Sequence, residues 1–138
     1  MSLGFEWLPN IGLGDIRFGE SINLYISSLG VYLDPDDERL QGWVRYKVPN
    51  EDILVDVENN KVVSITSYSK FYCNGINLIG LSIVRLNDLL NTSNPEVGMG
   101  VEYDDGEIQF PVDYDDEGLQ VWKLENNLIV SASCYKRE

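Results

Sequence analysis

Histidine is absent from the 138 residues, and that fact removes most of the chemistry that small enzymes perform. Without an imidazole there is no Ser–His or Cys–His nucleophile pair, no HExxH zinc site and no base poised near neutral pH. What remains is carboxylate: 23 Asp and Glu face 10 Lys and Arg, for a net charge of −13. Two acids at a suitable separation across a cleft can hydrolyse a glycosidic bond, so a small carboxylate-dependent hydrolase stands as a third reading. Acid pairs also arise by chance in so acidic a chain, and glycosidase folds are generally larger. Asp113-x-Asp115-Asp116-x-Gly118 clusters oxygens as a calcium loop does, but lacks the alternating ligands and closing Glu of an EF-hand. Solvated turn charge is the expectation there. Cys73 and Cys134 are 61 positions apart and have no CxxC spacing, so neither a redox motif nor a zinc framework is present. They are expected to be reduced thiols serving as small hydrophobes, near the ends of strands that could be neighbours in one sheet. Gly12-Leu13-Gly14 with Gly19 has neither the Rossmann spacing nor a P-loop lysine, and reads as a turn leading into a helix. No metal, cofactor or catalytic group is expected.

The carboxylates are unevenly placed. From Leu86 to Trp122 there are ten acids and not one Lys or Arg. They alternate with aromatic and β-forming residues, in Tyr103-Asp104-Asp105-Gly106-Glu107 and Asp113-Tyr114-Asp115-Asp116-Glu117, which reads as folded hairpins rather than a solvating tail. A surface made for solubility mixes signs, whereas a one-sign patch repels itself and suits the steering of a partner. Asp34, Asp36, Asp37 and Glu38 form a second acidic patch. Nucleic acid is disfavoured as a ligand because phosphate binding needs a basic face. The segment before Arg17, the first basic residue, has an acid and a proline where a signal peptide needs a charged start and an apolar run. No apolar stretch nears the roughly 18 residues of a membrane span, so a cytoplasmic protein without membrane attachment is expected.

Internal similarity organises the elements that must carry these residues. Ile16-Arg17-Phe18-Gly19-Glu20-Ser21-Ile22 recurs 61 positions on as Asn77-Leu78-Ile79-Gly80-Leu81-Ser82-Ile83. Val57-Glu58-Asn59-Asn60-Lys61-Val62-Val63-Ser64 recurs 67 positions on as Leu124-Glu125-Asn126-Asn127-Leu128-Ile129-Val130-Ser131, and the offset holds to Tyr68 and Tyr135. One domain over residues 1–138, made of two repeats at 16–70 and 77–136, is the expectation. The change of offset is expected to mark an insertion at the Asp-rich hairpins.

In each copy a serine, Ser21 or Ser82, is a good N-cap before a short apolar stripe: Ile22, Tyr25, Ile26 and Leu29, then Ile83, Leu86, Leu89 and Leu90. Gly30 suits the end of the first helix. Strands are predicted at 42–48, 52–57 and 62–68, then at 108–114, 119–124 and 128–135, with a further strand within 97–103. Asn59-Asn60 and Asn126-Asn127 tolerate positive φ and should close tight hairpins. The fold class is therefore α+β, two tandem repeats of a short helix and a three- to four-stranded antiparallel meander. Joined, these would form a sheet of six to eight strands with one face uncovered.

This layout, over 16–135, resembles the tandem-repeat architecture of the β-lactamase-inhibitor proteins, with one helix per repeat in place of a helix-loop-helix. In physical character the chain is also similar to the immunity proteins of bacterial toxin systems. The resemblance implies a non-enzymatic inhibitor or immunity protein that occludes the active site of a basic protein, such as a nuclease toxin domain. Asp104, Asp105, Glu107, Asp113, Asp115, Asp116 and Glu117 would supply charge, and Tyr103 and Tyr114 apolar anchors. Trp43, Tyr46, Tyr103, Tyr114 and Trp122 are the aromatics nearest the charge, and each fits core or interface equally. The alternative is a structural or adaptor module that pairs through a sheet edge.

Overall fold

Strand-forming residues outnumber helix formers along most of the chain, and the result, among the described residues, is a mostly antiparallel sheet with two helices. A computed structural model describes residues 4–35, 43–92 and 95–137. The chain opens with a small antiparallel meander, β1 (Trp7–Leu8), β2 (Gly12–Leu13) and β3 (Ile16–Arg17). Next come α1 (Ile22–Leu29), β4 (Tyr32–Leu33), β5 (Val44–Lys47), β6 (Ile53–Glu58) and β7 (Lys61–Ser67). A hairpin of β8 (Tyr72–Cys73) and β9 (Ile76–Asn77) leads to α2 (Ile83–Leu90). The chain ends with β10 (Glu96–Val97), β11 (Val101–Glu102), β12 (Ile108–Tyr114), a 3₁₀ turn at Asp115–Glu117, β13 (Leu119–Leu124) and β14 (Ile129–Tyr135).

Among the described residues the main sheet has nine strands in the order β10-β12-β13-β14-β7-β6-β5-β4, with β11 also paired to β12. Its centre is β7 against β14, where Ser64–Ser67 run antiparallel to Ala132–Tyr135. The core lies on one face, where Ile53, Val55, Ile65, Val112, Leu119, Val121 and Cys134 are buried with Ile22, Tyr25, Ile83 and Leu86 of the helices. An eight-residue helix is marginal alone, so burial of these stripes is what holds each helix. Ile26 departs from the expected stripe and is 41% exposed, because the Ile22–Tyr25–Leu29 line already faces the sheet. Both serines cap as expected: Ser21 Oγ accepts from the Asn23 amide at 3.2 Å and Ser82 Oγ from Arg85 at 3.3 Å. Gly30 and Asn91 end the helices in the left-handed conformation.

The two halves use the same docking bonds. Ile22 N–H donates to Asn60 O and Ile83 N–H to Asn127 O; Gly19 N–H donates to Val62 O and Gly80 N–H to Ile129 O. Each helix start is thereby tied to its own hairpin. The hairpins differ in detail. Asn59 and Asn60 both take positive φ between Glu58 and Lys61, the signature of a two-residue type I′ turn. In the second hairpin only Asn127 does so, and Leu124 N–H donates to Leu128 O across a loop one residue longer.

Two sequence expectations are corrected here. The Gly12–Gly14 segment is not a simple turn, because it forms the β1–β2–β3 meander; Gly14, at φ +58°, carries a Cβ-free contact with the Gly4 carbonyl that any side chain would block. The cysteines are not sheet neighbours: Cys134 is in β14, whereas Cys73 lies in the separate β8–β9 hairpin, both buried and free. Burial pushes both thiols up.

Removing the second cap should be measurable. Ser82→Ala is expected to cost about 1 kcal/mol and Leu86→Ala, fully buried, about 2–5 kcal/mol in urea unfolding, with the midpoint falling and the m-value unchanged.

Candidate functional site

Because both helices pack on one side, the opposite face of the sheet is left uncovered by the described residues. Strand alternation sends a second set of residues there, and they are polar in the middle. One row across the sheet reads Leu54, Thr66, Ser133, Gln120, Asp113, Glu96 from β6 to β10. A neighbouring row reads Arg45, Asp56, Ser64, Tyr135. Trp122 lies opposite Ser131 on the other side. These side chains line a trough of about 430 Å³, with Trp43, Tyr68, Trp122 and Tyr135 around a floor of hydroxyls, amide and carboxylate. At its centre Thr66 Oγ1 and Ser133 Oγ are hydrogen-bonded at 2.6 Å across the junction of the halves.

Charge in the trough is divided. Arg45 Nε is 2.9 Å from Asp56 Oδ1, and a second guanidinium nitrogen is 3.4 Å from Oδ2. Asp56 is 5% exposed, so this pair satisfies a carboxylate that burial would otherwise make costly. The hydrogen bond to Asp56 raises the Arg45 pKa against the opposing effect of burial. Across the sheet, Asp113 Oδ1 accepts from Gln120 Nε2 at 2.8 Å. Tyr135 bridges outward, its hydroxyl donating to Asp115 Oδ1 at 3.2 Å. Burial first, then this bond and the charges of Asp115 and Asp113, push the Tyr135 phenol up to about 12.

The expected acidic residues do not form one patch. Tyr103, Asp104, Asp105 and Glu107 form the exposed tip of the β11–β12 hairpin, held by Tyr103 N–H to Glu107 O and by Glu107 N–H to Asp105 Oδ1 at 2.9 Å. Asp115, Asp116 and Glu117 sit at the other end of β12, roughly 20 Å away for a seven-residue strand. Asp113, between them, faces the trough. Tyr114 departs from the expectation of an exposed anchor: it is 4% exposed and its hydroxyl donates to Asn87 Oδ1 of α2 at 2.7 Å. Neighbours in a strand point to opposite faces, so Asp113 on the open side requires Tyr114 on the core side. Tyr46 likewise packs against the core, whereas Trp43 and Trp122 line the trough. Of the second patch, Asp34 is half-buried beside β5, and Asp36, Asp37 and Glu38 lie outside the described residues.

The trough residues Arg45, Asp56, Thr66, Gln120 and Ser133 carry no motif. Their signal is the alternation Ser64-x-Thr66-x-Tyr68, echoed as Ser131-x-Ser133-x-Tyr135, which marks one face of two strands. Among the described residues no group of three or more His, Cys, Asp or Glu converges to hold a metal ion, and no helix is long and apolar enough to cross a membrane. Neither protein-family models, nor characterised proteins, nor solved structures yield a match to this chain.

Tyr114 and Tyr135 should titrate late, and burial also raises the Tyr68 phenol. Burial pushes Tyr114 up to about 12, as it does Tyr135, against an unfolded value near 10. Above pH 10 the unfolded chain releases protons that the folded one keeps, so their stabilising contribution is complete below pH 10 and lost as pH rises towards 12. Absorbance at 295 nm should record the late steps of Tyr114 and Tyr135, with Asp115→Asn lowering the Tyr135 step and leaving that of Tyr114 in place.

Proposed function

We propose that this chain is a non-enzymatic binding protein that docks its open sheet face against a basic protein and blocks that protein's working groove. The observation that carries the reading is the trough: a broad uncovered sheet face, aromatic at its margins, polar on its floor and flanked by the acidic ends of β12. Aromatic side chains supply the contact area that hot spots need, and the surrounding charge suits diffusional encounter with a cation-rich surface. A nuclease active site is such a surface, because it binds phosphates. On this reading the chain works as toxin-immunity proteins do, in the cytoplasm of the cell it protects, and shares with the β-lactamase-inhibitor proteins the use of a two-unit sheet.

We further infer that the two halves are copies of one unit. Matching docking bonds at Ile22 and Ile83 support this, as does a bulge at the same place in each meander, Asp56/Val57 and Trp122/Lys123. The offset between corresponding residues climbs stepwise: 61 at Ser21/Ser82, 64 at Tyr32/Glu96, 66 at Lys47/Asp113 and 67 at Val62/Ile129. The extra residues of the second copy are thus spread over several connections rather than gathered in one insertion. The adaptor reading draws on a separate feature, the β10–β11 edge, where Val97, Met99 and Val101 are exposed.

Replacing Asp104, Asp105, Asp115 and Asp116 together by Asn tests the acidic contribution. Turns accept Asn as readily as Asp, so the fold should survive. Association with the basic partner, sought first in the protein encoded immediately upstream, is expected to slow roughly tenfold at low salt. The difference should shrink towards 1 M salt, where the Debye length falls to about 3 Å. Equal on-rates at low salt would reduce the hairpins to solubility charge.

A further inference from the structure

The trough is electrically lopsided, and the lopsidedness says what it receives. Among the described residues that line it the one cation is Arg45, which is held to Asp56 at 2.9 Å on the β5–β6 side. Asp113 is in β12, five strand spacings from β5, or roughly 24 Å at about 4.8 Å each. Arg45 therefore cannot neutralise it. Among the described residues no Lys or Arg lies within ion-pair distance of Asp113, and its hydrogen-bond partner is the neutral amide of Gln120. That amide binds Oδ1, and Asp113 lines the trough. Trp122 stands two residues along β13 from Gln120, on the same face and a diagonal neighbour of Asp113. On the other side the Tyr135 phenol is drawn towards the acidic turn by its bond to Asp115. Ser133 Oγ, opposite Gln120, adds a hydroxyl to the floor.

We infer that this end of the trough is a subsite for an arginine side chain projecting from the partner, with Asp113 as counter-ion and Trp122 and Tyr135 as flanking rings. The inference rests on the binding-face reading and names the group that enters the face. A carboxylate beside an aromatic ring suits guanidinium better than ammonium. The planar fork can donate to Asp113 while its face lies against indole, and guanidinium is more weakly hydrated, so it sheds less water on entry. Charge complementarity favours the same occupant: Glu96, paired directly with Asp113 across β10–β12, and Asp115 and Asp116 at the end of the strand keep this end of the trough negative.

The test is an NMR titration of the full chain at about 20 mM salt with penta-arginine and with penta-lysine, two peptides of equal charge. Penta-arginine is expected to bind about fivefold tighter and to shift the Trp122 indole N–H and the Gln120 side-chain amide saturably. Asp113→Asn, which can keep the Gln120 bond, should abolish the arginine preference and those shifts while leaving weak binding at residues 103–107. Trp122→Leu should also remove the preference but leave the Asp113 charge. If both peptides bind equally, or only at the hairpin tip, the arginine subsite is overturned while the cation-binding reading stands. If neither peptide binds, both fall together.

Discussion

The antiparallel contact between β7 and β14 is the joint on which everything else in this molecule depends. It turns two small meanders, each with strands enough for only a narrow face, into a single sheet of nine strands among the described residues. The buried side of the joint is largely apolar, with Ile65 opposite Cys134 and Ala132 opposite Ser67, whose hydroxyl is satisfied by donating to Lys70 O. The open side is polar, with the Thr66–Ser133 hydroxyl pair at 2.6 Å. A one-residue slip would exchange these faces and drive hydroxyls into the core, so the register is strongly specified.

The open face exists because the helices are few and short. Two eight-residue helices bury their apolar stripes on one side, and the chain has no further helix among the described residues to cover the other. A sheet face that is to stay wet must be polar, yet this one keeps two tryptophans and two tyrosines at its margins. Solubility alone does not call for them, whereas a docking surface does. The Arg45–Asp56 pair settles one end of the trough internally, and the other end keeps a carboxylate, Asp113, with no Lys or Arg partner among the described residues. The asymmetry gives the face a direction.

Much of this was legible in the residues themselves. Ser21 and Ser82, each followed by an apolar stripe, announced both helices, and the β-branched runs located β12 and β13 to the residue because Pro, Gly and Asp clusters bound them. The joining of the halves was not legible, since β7 and β14 carry no charge or motif that names the other as partner. An acidic neighbourhood in sequence is not a neighbourhood in space: alternation puts Asp113 and Tyr114 on opposite faces, Tyr114 in the core. The trough has no sequence signature for a related reason: small hydroxyls at every second position look like ordinary solvent-facing residues until six strands align them. The β1–β3 meander has two-residue strands, too short to leave a period.

Native-state amide hydrogen exchange of the central strands bears most directly on the joint. If the halves share one cooperative sheet, amides of Ser64–Ser67 and Ala132–Tyr135 should exchange only through global unfolding, with the same free energy as the slowest amides of β6 and β13. Faster exchange at the joint than in β6 and β13, with each half opening separately, would contradict the continuous sheet and the binding face that it supports.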